Sequence, residues 1–213
     1  PLINHAVGGQ YPPGSVFKII PASGALQEGV ITESTRFECR GTMLLPNKFF
    51  PNDPSQAQPF YCWARYGHGS INVVTAISQS CDIFFYKATG GFEDFQGLGI
   101  DRLGKYAAMF GIGEPTGIEL TGEASGLLPS ERWKRLTYSE SWFQGDTYNA
   151  AIGQGYVLAT PLQMLNAHAA IANGGTLYRP QVVYQEVDIE GNVVRSFEPE
   201  VVHKIDVDPE YIE

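Results

Sequence analysis

From Gly14 onward, apolar side chains recur every three or four residues, at Phe17, Ile19, Ile20, Ala22, Ala25 and Leu26. That spacing predicts a helix ending at Gly29, with Pro21 bending or shortening its first turns. Residues 36–66 lose the period and are rich in Pro, Asn and aromatics, which reads as loop or short strands. A second helical stretch runs from Asn72 to Ser78, breaks near Ser80, resumes through Phe84, Phe85 and Lys87, and stops at Gly90-Gly91. Residues 100–110 form an amphipathic helix closed by Gly111, and 112–128 a Gly/Pro/Thr loop. Thr160, Pro161 and Gln163 carry an N-cap, an N1 proline and a capping box for a helix reaching Asn173-Gly174. The period then changes to two over 176–187 and 193–197, with Glu190-Gly191-Asn192 as the turn, and Asp208-Pro209 starts a last helix. The tally is mostly helix with one late hairpin and no sheet wide enough to cover the helices.

The 213 residues are 43% hydrophobic and 17% charged, a globular composition. A net charge of −9 argues against nucleic acid or an anionic membrane surface as the main partner, since both need clustered Lys and Arg. No apolar run approaches the roughly 18 residues of a membrane span, and no charged-then-apolar signal segment is present. Residue 1 is Pro, which reads as a piece of a longer chain.

Chemistry enters at Ser15 and Lys18, in "YPPGSVFK". On a helix these share a face, so the lysine is expected within hydrogen-bond reach of the serine. A hydroxyl becomes a nucleophile when a neighbour takes its proton, and a desolvated lysine can do so. The apolar neighbours Val16, Phe17, Ile19 and Ile20 point to desolvation, whereas a plain N-cap serine needs none. Ser80, Cys81 and Asp82 fall where the helical pattern breaks, so short polar side chains project there or simply cap a helix.

Cys39, Cys62, His68 and Cys81 supply three thiols and one imidazole, the set for a tetrahedral structural zinc. A Cys39–Cys62 disulfide and three buried thiols are the other readings. His5, His168 and His203 have no partner pattern, and His168 reads as a packed side chain. Trp142 and Asp146 fit a cleft lining or a turn equally, and residues 198–213 read as a solvated acidic edge.

Four segments, "YPPGSVFK", "GHGSINVVTAISQSCDIFFY", "GLLPSERW" and "SWFQGDTYNAAIGQGYVLATPLQM", together resemble the transpeptidase domain of class B penicillin-binding proteins of the cell-elongation type, over nearly the whole chain. The resemblance implies an α+β, β-lactamase/transpeptidase-like fold. Residues 1–175 would be its helical subdomain and 176–213 a β-hairpin and the start of a final helix. It implies Ser15 as the acylated nucleophile, Lys18 as its base, Ser80 as a proton relay and Asp82 in the place usually held by Asn. Residues 153–155, Gly-Gln-Gly, would be a close-packed turn near the cleft.

The implied activity is cross-linking of peptidoglycan stem peptides through an acyl-enzyme, with acylation by β-lactams. The implied partners are glycosyltransferase and elongation proteins of the cell wall. The implied place is the periplasmic face of the cytoplasmic membrane, with the anchor outside these residues. No cofactor is needed for that chemistry; a structural zinc is the metal the four residues suggest, and some look-alikes carry a metal beside this motif, with ligands of mixed type.

The family's Lys-(Ser/Thr)-Gly motif does not occur here; "KATG" at 87–90 has an extra residue. The resemblance therefore places that motif beyond residue 213 and the strands of the central sheet before the nucleophile helix and after residue 213, and these residues alone are expected to acylate poorly or not at all. Two rivals remain. A β-lactamase or β-lactam sensor would need a deacylating base, for which Glu114, Glu119 and Glu123 are candidates, and a non-catalytic cell-wall scaffold would keep the motifs by descent.

Overall fold

A computed structural model describes residues 3–212. Its centre is α2 (Ile19–Gln27), buried from Ile20 to Leu26. A helix apolar on every side must be covered on every side, and two cores do this. One takes Phe17 and Ile20 together with Leu103, Phe110, Ala167 and Leu177. The other takes Ala22, Ala25 and Leu26 together with Phe84, Phe85 and Tyr148.

The expected helix over 14–29 is split. Residues Gly14–Lys18 form a 3-10 turn and α2 starts only at Ile19. Pro21 explains the split: it has no N–H to give to a carbonyl four residues back, so it must sit in the first α-helical turn. The preceding residues tighten instead. After a short α1 (His5–Gly8), the other helices in chain order are α3 (Val73–Ser78), α4 (Asp82–Phe85), α5 (Ile100–Met109), α6 (Glu131–Tyr138), α7 (Gln144–Ala151) and α8 (Pro161–Ala172), with a π-turn at Tyr86–Gly90. The Thr160–Gln163 capping box forms in both directions. Helices α6 and α7 have no counterpart in the predicted pattern. α6 is mostly polar, and its start is marked only by Ser130, whose side chain accepts from Trp133 N. α7 carries Gly145 and Asn149, both poor helix formers.

Among the described residues no sheet exceeds two strands. β1 (Phe37–Cys39) pairs antiparallel with β4 (Gly69–Ile71), and β2 (Thr42–Leu45) with β3 (Gln58–Tyr61). The late alternating stretch is not one hairpin. β5 (Thr176–Tyr178) pairs with β8 (Val201–Lys204), and only β6 (Gln185–Val187) and β7 (Val193–Ser196) form the hairpin. Pro180 interrupts the run, since it cannot donate to a ladder. The acidic tail is also not a solvated edge: Ile205, Val207 and Ile212 enter the first core. Their alternation with Lys204, Asp206 and Asp208 hides an inward face behind the charges.

Candidate active site and an adjoining thiol cluster

Ser15 is exposed and Lys18 is 2% exposed, at the two ends of one 3-10 turn. In that helix residues three apart eclipse, so both side chains leave the same face. The turn is held from behind by the Gly-Gln-Gly segment: Gly14 N donates to Gly153 O at 2.8 Å. Gly153 has φ +68°, and a Cβ there would lie 2.5 Å from Gly14 O and 2.8 Å from Phe17 Cβ. Only glycine combines that conformation with that approach.

Lys18 Nζ reaches across to the segment after α3. It donates to Ser80 O at 2.8 Å, Ser80 Oγ at 3.0 Å and Asp82 Oδ1 at 2.6 Å. Ser15 Oγ is not among its partners in the described residues, contrary to the expected direct contact. An ammonium has three N–H donors, and a buried one is held most strongly by a carboxylate. Phe85 closes the site, its ring centroid 5.7 Å from Nζ.

Ser80 owes its place to the end of α3. Ser80 N donates to Ile77 O at 3.1 Å and Cys81 N to Ala76 O at 2.9 Å. These two bonds define a Schellman termination, whose C′ position is usually glycine in the left-handed region. Here a serine occupies it at φ +53°. The second oxygen of Asp82 accepts from Trp63 N at 2.9 Å.

The four candidate metal ligands converge. One ligand atom each from Cys39, Cys62, His68 and Cys81 lies within 4.8 Å of all the others. His68 Nδ1 is 3.5 Å from Cys39 Sγ and 3.6 Å from Cys62 Sγ, and Cys62 Sγ is 4.0 Å from Cys81 Sγ. Zn–S bonds near 2.3 Å and Zn–N bonds near 2.0 Å at tetrahedral angles put S···S at about 3.8 Å and S···N at about 3.5 Å, so these three distances suit that ion.

The three cysteines are buried and free of disulfides, so the Cys39–Cys62 bridge does not form. The thiol–thiol contact with Cys81 holds Cys62 well below the usual thiol range, against the effect of burial; N–H groups of Asp82, Ala64 and Ile83 add to this. Cys81 is pushed up by the same contact and by burial. His68 Nε2 is buried without a partner. The crossing that brings the ligands together needs Gly67, whose Cβ would fall 2.1 Å from Cys39 O.

The remaining candidates serve the framework. Asp146 Oδ2 accepts from Lys134 Nζ and from Phe143 N, both at 2.8 Å, and Trp142 Nε1 donates to Thr147 Oγ1 at 2.8 Å. Glu123 spends both oxygens on Thr116 and Gly117, and Glu119 accepts from Val182 N. Glu114 supplies its backbone carbonyl to Gln163 Nε2. His168 donates to Met164 O, His203 Nε2 donates to Met109 O, and His5 bonds the Tyr11 hydroxyl. Sequence reasoning missed Trp63, whose only signal was its place beside Cys62, and Phe85, hidden in an apolar run.

Residues 1–213 match the family model described as the penicillin binding protein transpeptidase domain. The peptidoglycan D,D-transpeptidase MrdA of Salmonella typhimurium is 39% identical over 199 residues, which is 93% of this chain and 29% of that protein. MrdA of Escherichia coli K12 is 36% identical over the same shares. Among solved structures, Pseudomonas aeruginosa PBP2 in complex with WCK 5153 superposes with a TM-score of 0.81 at 34% identity, covering 100% of this chain and 44% of that one. Helicobacter pylori PBP2 in complex with MreC gives 0.75 at 32%, covering 94% and 32%. The chain spans about 29% of the length of these curated relatives.

Proposed function

Because this chain belongs to the penicillin-binding protein transpeptidase family, we propose that it carries the nucleophile half of a penicillin-binding protein 2-like peptidoglycan D,D-transpeptidase. Ser15 attacks the D-Ala-D-Ala carbonyl of a stem peptide, or a β-lactam, and forms an acyl-enzyme. The amine of a second stem peptide then resolves it. The observation that carries this reading is the buried Lys18 ammonium, one 3-10 turn from an exposed Ser15, with every donor engaged by Ser80 and Asp82.

A lysine with three N–H donors has no lone pair. To act as the base for Ser15, Lys18 must first pass one proton on, and Ser80 Oγ and Asp82 Oδ1 are the acceptors in reach. The Ser80 hydroxyl, donor and acceptor at once, then relays a proton to the leaving amine. Glu123, committed to its own loop, is not free to act as the deacylating base of a β-lactamase.

Cys39, Cys62, His68 and Cys81 would hold a structural zinc, on the strength of their convergence and their donor types, three sulfurs and one imidazole nitrogen. Such an ion supplies cross-linking of the 39–81 segment and takes no part in acyl transfer. No described helix is long and apolar enough to cross a membrane. By analogy with the PBP2–MreC complex and with a peptidoglycan synthase complex of polymerisation and cross-linking, the protein would work at the periplasmic face of the cytoplasmic membrane with elongation partners. Its anchor would lie outside these residues.

The test is Ser15→Ala in the protein at its full natural length. Intact mass after exposure to a penicillin should show one adduct on the parent and none on the variant, and cross-linking should stop. An adduct that persists on the variant, or a cell-wall role that survives it, would remove the nucleophile assignment.

A further inference from the structure

Ser80 is a side chain where the Schellman turn favours none. A left-handed φ of +53° on a non-glycine residue is sterically costly, and it persists only where its surroundings over-determine it. What fixes it comes in part from outside its own helix. Trp63 reaches the turn on both sides of Ser80. Its indole Nε1 donates to Gln79 O at 3.0 Å, and its main-chain N–H donates to Asp82 Oδ2 at 2.9 Å.

The Trp63 ring packs edge-on against His68, with centroids 5.6 Å apart, yet the side chain remains 64% exposed. An apolar core does not account for its position; two hydrogen bonds do.

We propose that Trp63 is a positioning residue for acylation, a clip that keeps Ser80 Oγ and Asp82 Oδ1 aimed at Lys18. This rests on the acyl-enzyme reading above. The indole bond restrains the carbonyl immediately before the strained residue. The main-chain bond occupies the Asp82 oxygen that Lys18 does not use, leaving Oδ1 directed at Nζ. Without the indole bond the turn is free to relax toward an extended φ, which carries the Ser80 hydroxyl away from the lysine. Binding of a β-lactam ahead of the chemical step depends less on this than the step itself.

Two substitutions separate the hydrogen bond from the bulk. Trp63→Phe keeps an aromatic ring and the main-chain N–H but has no ring donor. Trp63→His keeps a ring N–H, because imidazole Nε2 overlays indole Nε1, but loses the outer ring. In the full-length protein, stopped-flow acylation by a chromogenic cephalosporin gives the pre-acylation dissociation constant and the acylation rate constant separately. Melting temperature and zinc content are followed alongside.

The Phe variant should acylate roughly three- to tenfold more slowly, the size of one neutral hydrogen bond, with the dissociation constant within about twofold. The His variant should recover most of the rate. An unchanged rate in Phe, or equal losses in both variants, would overturn the proposal; so would a loss that tracks melting temperature or metal content. A parent protein that does not acylate at all would instead refute the proposed function.

Discussion

At the level of single residues, Glu28 shows how a charge is placed at an awkward site. It caps the C-terminal end of α2, where the helix dipole disfavours a carboxylate. The Tyr106 hydroxyl donates to its Oε1 at 2.9 Å, and Lys105 and Arg102 stand at 3.4 and 3.7 Å. The Tyr106 bond chiefly holds the Glu28 carboxyl below its usual range, while burial pushes Tyr106 up to about 12. A depressed folded pKa means stability that is full above the unfolded value near 4.3 and lost as pH falls through the folded one. Tyr106→Phe should therefore cost about 1 kcal/mol at neutral pH, with the gap in urea midpoint closing toward pH 3. A gap constant across that range would show that the Tyr106 hydroxyl acts independently of the charge on Glu28. That Lys18, Ser80 and Asp82 would meet was legible in residue type and spacing, whereas the expected direct contact between Ser15 and Lys18 does not form. Trp63 was not legible, since half its contribution is a main-chain N–H that any residue but proline carries.

Among the elements, the contact between the Gly153 turn and the 3-10 turn decides where Ser15 stands. Gly153→Ala adds a methyl against backbone rather than against a yielding side chain. Gly174 has φ +79° with nothing within 4 Å of a built Cβ, so Gly174→Ala isolates the conformational cost alone. That control should lose about 1 kcal/mol, and Gly153→Ala at least about 2 kcal/mol together with slower acylation. Equal losses in urea unfolding would mean that the close approach carries no weight. The helices with strong caps, such as α8, were readable because capping is local. The splitting of 176–187 between two partners and the inward face of 205–212 were not, because pairing is set by what lies across space.

Over the whole molecule, the ribbons of residues 37–71 lean on the second core through few large side chains, and Phe49, Phe50 and Tyr66 stand exposed. A metal at the thiol cluster would tie this region to Cys81 at the head of α4. Elemental analysis should find about one zinc per chain, with the three thiols unreactive until a chelator is added and the melting temperature then falling by several degrees. Three thiols that react at once, with no metal in the preparation, would leave the cluster as packed cysteines. The α+β class and the family were legible from the sequence, while the four separate strand pairs were not, because short ribbons carry too few residues to show a period.

Phe17 and Ile20, on either side of the start of α2, share their core with Ile205, Val207 and Ile212, and Asp208 N closes on the Gln27 side chain at 2.7 Å. Synthesis begins at the opposite end. A growing polypeptide therefore leaves part of the apolar surface around α2 uncovered until residues 205–212 have emerged, and this core is completed late.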